Sequence, residues 1–172
     1  VIAIIGLIVL CPVLLLATIA IVLESGGPVF FSQRRVGFLG RRFTLHKLRT
    51  MRKDAEAEGA KWASEADSRV TKVGKFLRLS RIDEIPQFWN VLRGEMSIVG
   101  PRPERPEFVE KLNEEIPLWP CRHLVKPGLS GWAQIRFRYA AGSDASKEKL
   151  AYDLYYLKNA SLLLDLQIIL ST

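Results

Sequence analysis

Val1-Ile-Ala-Ile-Ile-Gly-Leu-Ile-Val-Leu-Cys11-Pro12-Val-Leu-Leu-Leu-Ala-Thr-Ile-Ala-Ile-Val-Leu23 carries no charged residue. About 20 such residues are enough for a helix to cross the hydrocarbon core of a bilayer, so the chain is read as starting in a membrane. A signal peptide would have a basic start, a shorter apolar core and a small-residue cleavage site, and none of these is present. Pro12 deletes a backbone hydrogen bond and pushes away the carbonyl four residues earlier, which predicts a kink at Cys11-Pro12. The kinked helix has two outcomes. It can span with a bend, which the frequency of Pro in spanning helices favours, or it can re-enter the leaflet it came from with its freed carbonyls shielded by protein. The first residue is Val1 rather than Met, so the chain reads as a piece of a longer protein.

The 172 residues, 48% apolar, suit one functional unit with a real core. A formal charge of +7 calls for an anionic partner: nucleic acid, acidic lipid or a phosphorylated substrate. Eight Lys or Arg fall between Arg34 and Lys53, directly after the apolar stretch. That density marks the cytoplasmic side of a membrane. For most of these residues a solvated face resting on acidic lipid is explanation enough. Cys11 and Cys121 form neither a disulfide framework nor a thiol metal cluster, which fits a reducing compartment.

Beyond the apolar segment the pattern predicts a mainly helical α+β fold. Val29 to Gln33 and Phe43 to Leu48 read as strands of a small β-hairpin around the turn residues of 36–40. Arg52 to Ser68 reads as a surface helix or loop. Val70, Val73, Phe76 and Leu77, and then Ile85, Phe88, Trp89 and Leu92, recur at helical spacing and give two amphipathic helices, with the aromatic stripe assigned to the core. Met96 to Val99 is extended, Glu104 to Glu115 is an acidic surface helix with Phe108, Val109 and Leu112 inward, and Leu118 to Gln134 is irregular and ends in a short apolar strand. Lys147 to Lys158 and Ala160 to Leu170 close the chain as helices. The last is too short, and too interrupted by Asp165, to span a bilayer.

The chemistry concentrates at Asp83-Glu84. Pro86 tolerates only the first turn of a helix, so Asp83 is expected close to a helix N-cap, where unpaired N–H groups favour an ionised carboxylate and attract phosphate. Simple capping, contributing about 1 kcal/mol, explains an isolated Asp in this setting. Arg78 and Arg81 just upstream, and Arg102 held between two prolines, shift the reading toward phosphoryl transfer, where a protein positions a nucleophile and neutralises spreading charge.

Ser80-Arg-Ile-Asp83-Glu84-Ile-Pro-Gln-Phe-Trp-Asn-Val-Leu-Arg-Gly-Glu-Met-Ser-Ile-Val-Gly-Pro-Arg102-Pro103 resembles the signature of the bacterial sugar transferases, the monotopic polyprenyl-phosphate phosphoglycosyl transferases of exopolysaccharide assembly. The likeness extends to Gly27-Pro-Val-Phe-Phe-Ser-Gln-Arg-Arg-Val-Gly37, Lys47-Leu-Arg-Thr-Met51, Lys126-Pro-Gly-Leu-Ser-Gly-Trp-Ala-Gln134 and Tyr152-Asp-Leu-Tyr-Tyr-Leu-Lys158, nearly the whole chain. The resemblance implies a two-step reaction. Asp83 would attack the β-phosphate of a UDP-sugar, release UMP and hold the sugar phosphate covalently until polyprenyl (undecaprenyl) phosphate accepts it. Glu84, with Asp83, would bind Mg²⁺ shared with substrate phosphate. Lys47, Arg49, Arg81, Arg102 and Arg138 resemble the basic residues that bind phosphate, with Arg136 the alternative to Arg138. Asp153 matches a shared position. The sugar implied is a hexose such as glucose or galactose.

The same resemblance implies that the first helix is broken at Cys11-Pro12 and re-enters. Residues 1–24 would then be a membrane re-entrant helix, and 25–172 a catalytic domain with interfacial amphipathic helices on the cytoplasmic face of the bacterial inner membrane. Partners would be the UDP-sugar, polyprenyl phosphate and membrane lipid, with a homo-oligomer left open. A nucleic-acid module has the same charge but no matching motif, and an apolar start is foreign to it. A noncatalytic membrane anchor is the remaining alternative. His46 and His123 lack metal-ligand spacing.

Overall fold

The computed structural model describes residues 2–55, 67–137 and 143–172. They form a mainly helical chain with two small sheets, divided into two compact units: residues 1–33 with 45–92, and residues 34–44 with 93–172.

In the first unit, α1 runs Ile2–Ser25 with Pro12 inside it. It is long and apolar enough to cross a membrane. Ala3, Ala17 and Ile21 are buried, while Ile4, Ile5, Ile8, Leu15, Leu16 and Leu23 stand exposed. Water is a poor solvent for so much uncovered aliphatic surface, so a lipid surrounding is the physical counterpart of this helix. Its C-terminal half packs where Leu14, Ala17 and Ile21 meet Leu48, Leu77, Val29, Val73 and Ile82. Leu48 is fully buried there, and each such side chain contributes roughly 1.5–3 kcal/mol. The antiparallel hairpin expected around residues 36–40 is β1 (Phe30–Val36) and β2 (Arg42–Leu48), its first strand reaching three residues beyond Gln33. Its turn residues belong to the second unit.

Helix α2 (Lys72–Leu79) starts at a double cap. Thr71 Oγ1 accepts from the Gly74 amide at 2.9 Å, and the Glu24 carboxylate, in the last turn of α1, accepts from the amides of Lys72 at 2.8 Å and Val73 at 3.1 Å. These bonds satisfy amides with no intrahelical partner and place negative charge at a helix N-terminus. Gly74 lets α2 lie directly on the Thr50 backbone, since a Cβ there would sit 2.0 Å from the Thr50 carbonyl oxygen. A 3-10 turn at Ile82–Glu84 then leads to α3 (Gln87–Leu92). The aromatic stripe departs from expectation: Phe76 is 63% and Trp89 52% exposed. Leu77 and Ile85 of the same periodic pattern are buried, so the apolar face divides between the core and the outside of the protein.

In the second unit, β3 (Ser97–Val99) pairs in parallel with β4 (Gly128–Ser130), aligning Ser97 with Gly128 and Val99 with Ser130. Where an apolar strand was expected up to Gln134, the chain instead forms α5 (Trp132–Arg136). Helix α4 (Pro106–Glu115) buries Val109 and Leu112 against Trp119, Ile116, Val36 and Leu150, as its periodicity predicts. Two helices, α6 (Ser143–Asn159) and α7 (Leu162–Leu170), finish the unit. Asp165, the charge inside apolar α7, accepts a 2.9 Å hydrogen bond from Tyr156 Oη. Burial and that acceptor push the phenol pKa above its ordinary value.

Candidate functional site

Asp83 stands close to the start of α3, as expected, without capping it. It lies within the 3-10 turn, four residues ahead of α3, where the amides of Glu84 and Ile85 donate to the Arg81 and Ile82 carbonyls at 3.1 and 3.2 Å. Arg81 sets this turn. Its φ of 55° and ψ of 16° place a non-glycine residue in the left-handed region, and α2 therefore stops abruptly. Holding such a residue costs on the order of 1 kcal/mol, and such outliers cluster at functional sites.

The turn presents two adjacent carboxylates in different settings. Asp83 is 6% exposed, whereas Glu84 is partly buried with its Oε2 3.9 Å from Arg81 Nη1. Ile82 anchors the turn against α1 through the cluster around Ala17 and Ile21. Asn90 of α3, fully buried, accepts from the His46 amide at 3.2 Å and so ties the segment after Asp83 to β2. Arg78 Nε donates to Thr50 Oγ1 at 2.8 Å.

Lys47 and Arg49 lie at the end of β2, in the same unit as Asp83. Lys47 Nζ stands 5.2 Å from the Phe31 ring centroid. Arg49 is buried, and its Nη2 donates to Ser25 Oγ at 2.8 Å and to the Gly26 carbonyl. It therefore closes the C-terminal end of α1, while its Nε and Nη1 are buried without a hydrogen-bond partner. The structure thus brings Asp83, Glu84, Arg81, Lys47 and Arg49 into one unit. Arg102 belongs to the other, in the loop between β3 and α4. Arg138 lies outside the described residues, as does most of the Arg52 to Ser68 stretch.

Mg²⁺ usually takes one or two protein carboxylates and completes its shell with substrate phosphates and water. Asp83 and Glu84, adjacent on one turn, fit that donor set. Among the described residues no group of three or more His, Cys, Asp or Glu forms a larger protein cage.

Sequence reasoning missed a charged cluster in the second unit. Asp153 of α6 pairs with Arg122 at 2.7 Å, both side chains 1% exposed. Arg122 also lies 4.4 Å from the Trp119 ring centroid. Glu104, expected on a surface helix, instead meets Lys149 and lies 3.9 Å from Arg35. Burial alone would raise the Glu104 pKa, but Lys149, Arg122 and Arg35 overcome it and hold the carboxyl at about 2. Nothing in the one-dimensional pattern marks charges paired across such sequence distances.

A groove of about 330 Å³ beside the hairpin turn is lined by Leu39, Arg42, Val109, Pro120, His123 and others, and holds no carboxylate pair. His123 there is pushed down to about 4, first by burial and then by Arg122. A base whose folded value is depressed contributes stability that is complete above its unfolded value of 6.5 and is lost as pH falls toward 4. Glu104 begins to lose its contribution only below 4.5. Melting curves should therefore fall between pH 6.5 and 4.5 in the wild type and be flatter over that window in His123→Gln.

A family model describing bacterial sugar transferases matches residues 1–172. An Aeromonas hydrophila UDP-N-acetylgalactosamine-undecaprenyl-phosphate N-acetylgalactosaminephosphotransferase is 48% identical over 170 residues, covering 99% of this chain and 40% of the relative. A Xanthomonas campestris UDP-glucose:undecaprenyl-phosphate glucose-1-phosphate transferase is 42% identical over 175 residues, covering 100% and 36%. A Caulobacter vibrioides protein of the same description is 43% identical over 164 residues, covering 94% and 61%. The chain thus spans less than two thirds of each of these three relatives.

Proposed function

Because the chain belongs to the bacterial sugar transferase family, we propose that it transfers a sugar 1-phosphate from a UDP-sugar to polyprenyl phosphate and releases UMP. The observation that carries this reading is the Asp83-Glu84 pair on a turn packed against the apolar helix α1, with Asp83 almost fully buried. A phosphoryl acceptor in a water-poor position at the foot of a membrane helix suits a reaction whose second substrate is a lipid phosphate.

In the first step an Asp83 carboxylate oxygen bonds to the β-phosphorus of the UDP-sugar. The bond from that phosphorus to the bridging oxygen breaks, and UMP leaves with the electron pair. In the second step an oxygen of polyprenyl phosphate attacks the same phosphorus and breaks the acyl–phosphate bond, returning Asp83 as a carboxylate. Dividing the transfer makes each displacement easier. Glu84 and Asp83 would hold Mg²⁺, which supplies neutralisation of the phosphate charge. Arg81, Lys47, Arg49, Arg102 and Arg138 are the candidates to bind phosphate oxygens, as point charges or bidentate forks.

The donor sugar is a hexose or an N-acetylhexosamine, following the names of the relatives. Helix α1 would re-enter the cytoplasmic leaflet of the inner membrane, its break at Cys11-Pro12, leaving the lipid phosphate level with Asp83. A panel of UDP-sugars incubated with the protein, undecaprenyl phosphate and Mg²⁺ tests the reading. One donor should give UMP in amounts matched by a lipid-linked sugar diphosphate. UMP from none of them would remove it.

A further inference from the structure

The loop that carries Arg102 is held in an unusual way. Four successive carbonyls each accept a hydrogen bond: Pro101 from the Gly128 amide at 3.0 Å, Arg102 from Arg122 Nη2 at 2.9 Å, Pro103 from Arg35 Nη1 at 3.0 Å, and Glu104 from the Val36 amide at 2.9 Å. Pro101 and Pro103 have fixed φ and no amide to donate. The Arg102 backbone is therefore pinned on both sides by ring constraint and from behind by donors drawn from β1, β4 and the 3-10 segment Trp119–Leu124.

One of these donors is an ion-paired side chain. Arg122 reaches Asp153 Oδ2 with Nη2 at 2.7 Å and with Nε at 3.0 Å, and the same Nη2 reaches the Arg102 carbonyl. A buried ion pair is weak evidence for stability, since well-packed apolar residues often serve as well or better. What it does supply is direction. A planar guanidinium fixed by a carboxylate on α6 and laid on Trp119 can aim a charge-assisted N–H at one carbonyl in a way that a lysine ammonium cannot.

We propose that Arg122 and Asp153 are positioning residues that fix the backbone of Arg102, so that its guanidinium meets a substrate phosphate without prior ordering of the loop. The proposal rests on the reading of Arg102 given above. Misplacing a binding group by about 1 Å costs about 10²-fold in rate, which is the scale expected here.

The experiment is a double-mutant cycle on the full chain in liposomes containing undecaprenyl phosphate, with kcat and KM measured for the UDP-sugar that gives UMP and thermal unfolding followed in parallel. Arg122→Lys and Asp153→Asn are each made in the wild-type and the Arg102→Ala backgrounds. In the wild-type background each should lower kcat/KM by about 10²-fold while unfolding stays cooperative. In the Arg102→Ala background each should change kcat/KM by less than about threefold, because the group they position is gone. Equal losses in both backgrounds would overturn positioning and leave the phosphate-binding reading of Arg102 standing. Wild-type kcat/KM in Arg102→Ala alone would overturn that reading and the proposal with it. Loss of cooperative unfolding in both variants would make the pair a structural element and overturn the proposal as well.

Discussion

Asp83→Asn should lower UMP release and sugar-phosphate transfer by at least about 10³-fold, equivalent to about 4 kcal/mol of transition-state stabilisation. Asn keeps the size of the side chain, so a 6% exposed position in a tight 3-10 turn is filled much as before. What changes is chemistry: an amide does not form the acyl phosphate on which both proposed displacements depend. Mass spectrometry of wild-type enzyme quenched with its UDP-sugar in the absence of lipid acceptor should find the sugar phosphate on the peptide containing Asp83, and the Asn variant should carry none. The variant should still bind vesicles and melt cooperatively, which separates lost chemistry from lost structure. Turnover by Asp83→Asn at the wild-type rate would end the assignment and favour a noncatalytic anchor.

Gly128→Ala should destabilise the second unit by about 3 kcal/mol or more, a large effect for one methyl group. A Cβ at Gly128 would lie 2.1 Å from the Gly100 nitrogen and 2.5 Å from the Ser130 carbonyl oxygen. Both contacts are backbone, so no rotamer change relieves them. Separating the strands enough to admit the methyl strains three hydrogen bonds, Ser97 N to Pro127 O, Gly100 N to Ser130 O and Gly128 N to Pro101 O. The last also holds the loop of Arg102, so kcat/KM should fall along with the unfolding midpoint. An unchanged midpoint in detergent-solubilised protein would show that the strands tolerate a wider spacing than this packing implies.

The elements legible in the sequence are those written in local periodicity. An uncharged apolar run gives α1, Phe-, Val-, Thr- and Leu-rich segments around a Gly-containing turn give the hairpin, and helical spacing gives α2, α3 and α4 within a few residues. The carboxylate pair could be located from composition and its neighbours, but not its conformation. A left-handed residue such as Arg81 has no apolar signature, so the pattern puts Asp83 close to a helix start but does not record the 3-10 turn that holds it. The parallel pairing of β3 with β4 joins segments some thirty residues apart through glycines, and no short-range pattern records it. The burial of Arg122, Asp153 and Glu104 was illegible for a related reason. Charged residues read as surface unless their partners are known, and here the partners are supplied by other elements. Phe76 and Trp89 failed differently: periodicity found the apolar face, while what that face meets depends on a solvent other than water.

The Glu24 carboxylate that closes the first turn of α2 makes the end of the apolar helix a gauge for the start of α2. One extra residue before Glu24 would advance the helix end by about 1.5 Å and swing it by about 100°, taking the carboxylate off the Lys72 and Val73 amides. The position of α1 is thereby coupled to that of α2 through a carboxylate at the helix end as well as through the packing of Ala17 and Ile21 against Leu77 and Ile82.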